Sequence, residues 1–362
     1  MLRRHKSAAR TAIHIAAAAF MLIASRSTAE TGTASGSASA RAARSSEPIA
    51  APMGQLRLLV GSNPGGGYDT YARLLAAHLP ARLPGTPKII VQNMPGAGSL
   101  VVTNYLVNVA PRDGTVFAAV HSLAATHPLF YPERAKYDAR TLVWIGSAVR
   151  ETTFGLTSAS SKVQSLKDLF NKDPIVAGST GSTTSFPAFM NSVLGTRFNI
   201  VKGYNATSAA LLALERGEVD GVIGVTGPGL TGLGERLVEQ GQAHLFIQFG
   251  MKRHPNHMNT DWIFDYAERP EQRTAMKLMF GTQEFGRPFV APPGIPNSIA
   301  SKMRSAFASV LKDDALLQEA GTRRLEIDYT SPEEISEIIA SMYEASPATV
   351  EFVKQFLGDQ GQ

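Results

Sequence analysis

Residues 60–73 read VGSNPGGGYDTYAR, and three consecutive glycines, Gly65, Gly66 and Gly67, stand between an apolar run and a helical pattern. Upstream, Leu56 to Val60 reads as a short buried strand. Downstream, Tyr71, Leu74, Leu75 and Leu79 recur on one helical face, with Asp69 placed to cap the helix. A strand that runs through a loop into a helix is the opening unit of an α/β sheet. The loop also has chemical meaning. Glycine admits close approach to the backbone, and the free N–H groups and dipole of a helix N-terminus attract an anion without needing a lysine. Two readings stand: an anion cradle, or a plain connection capped by Asp69.

The next unit repeats the plan. Ile89 to Val91 is strand-like, residues 92–99 read QNMPGAGS with Gly96 and Gly98, and a helix follows carrying Leu100, Val101, Tyr105 and Leu106. The turn at Arg112, Asp113 and Gly114 leads into a strand over Thr115 to Val120. Glycine loops on neighbouring strands would face one crevice, because ligands of open α/β sheets bind beyond the carboxyl ends of the strands. A purely structural turn is the alternative. A third loop, residues 178–185, reads GSTGSTTS and follows the strand Ile175 to Ala177. Its Ser179, Thr180, Ser182, Thr183, Thr184 and Ser185 either hold a carboxylate by charge-assisted hydrogen bonds or cap a helix and face solvent.

Further strands are expected at Leu142 to Ile145, Phe154 to Thr157, Asn199 to Val201, Val219 to Ile223 and Leu245 to Ile247. Helices are expected at Phe186 to Leu194, Ser208 to Arg216 and Leu230 to Glu239. Near Arg287 the chain becomes proline-rich around Phe289 to Ala291, as at a return crossing. Helices over Pro296 to Leu311, Pro332 to Glu344 and Ala348 to Leu357 then complete it, packing mainly on the first lobe. The expected division is a signal segment at 1–29, a leader at 30–52, a first lobe from 53–156 plus 286–362, and a second lobe from 157–285.

The 362 residues suffice for two domains without disulfide staples. Arg3, Arg4, Lys6 and Arg10 precede the apolar stretch Ile15 to Ala24, about ten residues where a membrane span needs about 20, so a cleaved export signal is expected. The formal charge is +5, and five basic residues lie before Glu30, so the remainder is near neutral and offers nucleic acid no basic surface. The absence of cysteine excludes disulfides, thiolate metal sites and a cysteine nucleophile. Phosphate-loop, Gly-x-Ser-x-Gly and dinucleotide patterns are missing. His254 and His257 lie in a polar loop without further ligands, and His121 with Ser122 is the best nucleophile-and-base pair on offer, although adjacent strand residues face opposite ways.

The segments GSNPGGGYDTYARLLAAHLP, IIVQNMPGAGSLVVTNYL and APRDGT, with VKGYNATSAALLALERGEVDGVI and VAPPGIP further on, resemble the solute-binding receptors of tripartite tricarboxylate transporters, the TctC or Bug family. The resemblance covers nearly all of the chain after residue 55. It implies an α/β, two-lobed periplasmic-binding-protein fold of the type II kind, with ligand in the cleft between lobes and closure about hinge strands. It implies a periplasmic monomer that binds a small carboxylate, docks on membrane permease subunits, and needs no cofactor, metal, catalysis or nucleic acid. Carried over by motif, contacts come from Gly65, Gly66, Gly67, Tyr68 and Asp69, and from Asn93, Pro95, Gly96, Ala97 and Gly98. Across the cleft they come from Ser179, Thr180, Ser182, Thr183 and Thr184, with Tyr204 and Asn205 near the far side. Asp220 reads first as a strand-end structural residue. The chain departs from the family at SFPAFMN, residues 185–191, where Phe186 replaces a polar contact; it and Tyr68 either meet an apolar part of the ligand or serve packing. An exported sensor and, needing a base and oriented acid not found, an exported hydrolase are the alternatives.

Overall fold

The computed structural model describes residues 54–357 apart from Thr180, Pro228 and Gly229. The signal segment, the leader and the Thr180 contact lie outside the described residues. The first apolar runs form one five-stranded sheet in the order β2, β1, β3, β11, β4. Here β1 is Gln55–Val60, β2 Lys88–Asn93, β3 Val116–Ala119, β4 Val143–Ser147 and β11 Pro288–Ala291. The first three are parallel, and β11 runs antiparallel between β3 and β4. Leu56, Leu58 and Val60 point to one face, under α1 (Gly67–His78) and α8 (Asn297–Val310). Leu59, Val116 and Ala118 point to the other, under α2 (Leu100–Asn108) and α10 (Pro332–Tyr343). Strands β3 and β11 are buried at every position and read as continuous apolar runs, whereas the edge strand β2 alternates exposed and half-buried residues.

The second sheet has six strands in the order β10, β9, β5, β8, β6, β7. These are β5 Thr153–Ser158, β6 Ile175–Gly178, β7 Asn199–Lys202, β8 Gly221–Val225, β9 Ala243–Phe249 and β10 Asp261–Trp262. One face packs α4 (Ser182–Leu194) and α7 (Pro270–Phe280) over Val176, Ile223 and Phe249. The other packs α5 (Thr207–Glu215) and α6 (Glu235–Glu239) over Leu156, Ala177 and Val222. A short α3 covers His127–Phe130, α9 covers Asp314–Thr322, and α11 covers Pro347–Lys354.

Several details differ from the sequence reading. Strand β5 pairs with β8 and β9, so the change of sheet precedes Thr153. Helix α11 buries Val350 and Val353 in the core of the second sheet, drawn there by the ring contacts of Phe352 and Phe356 with Phe189. Helix α4 starts four residues before Phe186 and carries Pro187 inside it. Helices α7 and α9 escaped the reading because their polar faces hide the apolar spacing.

Two segments link the sheets, one between β4 and β5, the other before β11. They pair with each other: Ala148 N–H donates to Arg287 O at 3.1 Å, Gly286 N–H to Val149 O at 2.8 Å and Glu151 N–H to Gln283 O at 2.8 Å. Register then fixes what lies beside them. Phe289 at the start of β11 faces Ala119 at the end of β3, and Phe154 at the start of β5 faces Val225 at the end of β8. The carboxyl ends of the parallel strands in both sheets therefore lie on the side of the crossing segments.

Candidate functional site

The first glycine loop opens α1 with Gly66 as N-cap. Asp69 sits one turn in, not at the cap, because its carboxylate turns back to accept from Gly65 N–H at 2.9 Å. Arg73 Nε donates to the same oxygen at 2.8 Å and Asn93 Nδ2 to the other at 2.8 Å. These donors, Arg73 foremost, hold the Asp69 carboxyl down at about 2. Asn93 also donates to Ser62 O at 3.0 Å, so the side chains of Asp69 and Asn93 tie the loops after β1 and β2 together. The N–H groups of Gly67 and Tyr68, in the first turn of α1, have no intrahelical acceptor.

The second loop is clasped by a residue the sequence reading passed over. Ser99 is buried, and its hydroxyl donates to Gly61 O at 3.0 Å while accepting from His121 N–H at 2.8 Å. One side chain thus joins the carboxyl ends of β1, β2 and β3. Gly96, Ala97, Gly98 and Ser99 all have positive φ, and Ala97 and Ser99 do so without being glycine. Such strain persists only where the surroundings impose it. Pro95 is exposed beside them.

In the second sheet, Thr183 is wholly buried; its hydroxyl accepts from Ser179 N–H at 2.9 Å and meets Ser179 Oγ at 2.7 Å. Ser182 Oγ donates to Gly224 O at 2.6 Å and Thr184 Oγ1 to Ser179 O. These hydroxyls shape the turn into α4. Phe186 packs against Phe249 and Phe280 at 5.1 and 4.8 Å, which makes it a core residue. Tyr204 packs on the core under α5, and Asn205 is exposed. Asp220 accepts from Ile175 N–H at 2.8 Å, the strand-end role expected of it. His254 and His257 meet the Phe154 ring edge-on, and no cluster among the described residues could hold a metal ion.

The crossing segments bring charge to this place. Arg287 pairs with Glu151 at 2.6 Å, and its guanidinium lies 4.5 Å from the Tyr68 ring centre and 5.7 Å from that of Tyr71. A Cβ on Gly67 would come 3.3 Å from the same guanidinium. Burial pushes the Tyr68 hydroxyl up to about 12, against the pull of Arg287. Burial likewise raises the Glu151 carboxyl, although Arg287 opposes it. Deeper in the hinge, Arg150 pairs with Glu284 and, at 3.1 Å, with Glu334. In sequence these residues are far apart; the one signal was an arginine just before VAPPGIP.

Two sheets with helices on their faces, joined by two paired crossing segments, define the two-lobed fold of periplasmic binding proteins. The family pattern described as "Tripartite tricarboxylate transporter family receptor" matches residues 71–352. The chain belongs to this family, a family of non-enzymatic solute receptors. It is 26% identical over 313 residues to a UPF0065 protein of Cupriavidus necator, covering 83% of this chain and 88% of that one. Its fold is similar to that of a TctC solute binding protein from Polaromonas, with TM-score 0.66, 18% identity and coverage of 84% of this chain and 98% of the other. A protein of R. palustris solved with adipate has TM-score 0.53 at 20% identity, covering 84% and 97% of the two chains.

Proposed function

We propose that this chain is an exported receptor that captures a small carboxylate, a di- or tricarboxylate or an aromatic acid, and delivers it to the membrane subunits of a tripartite transporter. The observation that carries the reading is the clasp of the two glycine loops by Ser99, Asn93 and Asp69, which holds two strand-end loops side by side. Unpaired N–H groups at the start of α1 and the nearby Arg287 favour an anion there. A structural neighbour bound to adipate supports an acid as cargo. Ser182 and Thr184 at the start of α4 would meet the ligand from the second lobe, with Thr183, expected as a contact, instead buried beneath them, and closure about the crossing segments would report occupancy to the transporter.

A thermal-shift screen of the chain from Glu30 onward, against mono-, di- and tricarboxylates, aromatic acids and their amides, tests the reading. An acid at 100 times its dissociation constant adds about 2.7 kcal/mol of stability. Shifts with acids and none with amides are expected; shifts with neutral compounds alone would overturn the carboxylate assignment.

A further inference from the structure

Between the two glycine loops stands a side chain with no assigned role. His121 lies two residues past the end of β3, its backbone N–H is held by Ser99 of the second loop, and its ring centre lies 4.9 Å from that of Tyr68 in the first. Leu123 N–H donates to His121 Nδ1 at 3.2 Å, so in the neutral ring the proton resides on Nε2. Burial first, then His127 and Arg287, push its proton affinity down to about 3, and the ring is neutral at physiological pH. Nε2 has no protein partner and is not among the sealed polar atoms, unlike His127 Nδ1 behind Gly98. The Nδ1 contact and the buried Ser122 also remove this pair as a base and nucleophile.

We propose that His121 is a ligand-contacting residue, a neutral imidazole whose Nε2–H donates to an acceptor oxygen of the bound acid. This rests on the carboxylate reading above. Together with the Gly67 and Tyr68 N–H groups, His121 would present three donors to acceptor oxygens of the ligand end that enters here.

The test is titration calorimetry of wild type, His121→Phe and His121→Gln with adipate and with the acid giving the largest thermal shift. His121→Phe keeps a ring against Tyr68 but loses the donor, and a roughly ten- to hundredfold loss of affinity is expected, as for a hydrogen bond to a charged group. His121→Gln places an amide N–H near the former Nε2 and is expected to recover binding to within about fivefold. Wild type that binds no acid removes the carboxylate reading and this inference with it. Tight binding by wild type and His121→Phe alike overturns the inference alone. If either variant fails to fold, nitrogen resonances of histidine-labelled wild type decide: an Nε2 signal that shifts on addition of the acid supports the contact, and one that stays fixed at saturation overturns it.

Discussion

The guanidinium of Arg287 lies 4.5 Å from the ring centre of Tyr68 and pairs with Glu151 at 2.6 Å. A residue of the first glycine loop thus rests on an ion pair made between the two crossing segments. Arg287→Gln leaves the largely buried Glu151 carboxylate unpaired, and a loss of about 2–3 kcal/mol is expected, below the full cost of breaking a sealed pair because both groups keep some solvent. Adding Glu151→Gln should restore part of it. Denaturant melts of the four proteins give the coupling, and a value under about 0.5 kcal/mol would show that the pair is not a unit.

Two carboxylates should give opposite pH signatures. Asp69 is lowered from 3.8 to about 2, chiefly by Arg73, so its contribution of about 2 kcal/mol is full above pH 3.8 and lost as pH falls toward 2. Glu151 is raised above 4.5, chiefly by burial, so its ionisation opposes folding and the penalty develops as pH rises through 4.5 and its folded value. Stability measured against pH should show a shallower acid limb in Asp69→Asn, while in Glu151→Gln the fall that sets in above pH 4.5 should disappear even though the unpaired Arg287 lowers its overall stability. The reverse pattern would contradict the assignment.

Ser99→Ala removes the clasp, stranding Gly61 C=O and His121 N–H, and should cost about 1–3 kcal/mol. Ser99 has φ +71°, a conformation that costs an L-residue about 1–2 kcal/mol. Ser99→Gly should therefore be less destabilising than Ser99→Ala by about 1 kcal/mol while losing ligand affinity equally. Melting and calorimetry on the two variants separate backbone strain from the hydroxyl.

Gly66 has φ −74° and ψ 167°, which any residue adopts, and an added Cβ would lie 3.3 Å from Asn63 O. Gly66→Val should fold, with melting changed by only a few degrees, and should lose acid binding because its methyl groups cover the start of α1. Retained affinity would remove this loop from the site.

Glu284 is buried beside the crossing segments, where it pairs with Arg150 and accepts from Met251 N–H at 2.7 Å. Glu284→Gln leaves the partly buried Arg150 with Glu334 as its near partner and should cost about 3 kcal/mol. A melting temperature within a degree of wild type would refute a structural role for the pair.

The strands and glycine loops were legible because each is local: an apolar run, a turn residue and a helical spacing lie within about 20 residues. Asp220 could be read at a strand end for the same reason. What stayed hidden depends on contacts across the chain. Asp69 reads as a cap until Arg73 and Asn93 are placed beside it, and Phe186 reads equally as a ligand contact or as packing until Phe249 and Phe280 surround it. Glu151 has no local pattern at all, and nothing near Arg287 or Ser99 in sequence tells which partners they take. The membership of β5 and the docking of α11 are likewise decided by partners remote in sequence.

The place of β11 between β3 and β4 has a consequence for how the molecule is made. The first sheet is divided until residues 288–291 arrive, because β4 joins it through β11. A chain emerging from a ribosome has by then delivered every strand of the second sheet, and Tyr68 meets Arg287 only as β11 follows. The earlier sheet is therefore the later to close, a long-range pairing of the kind that slows folding.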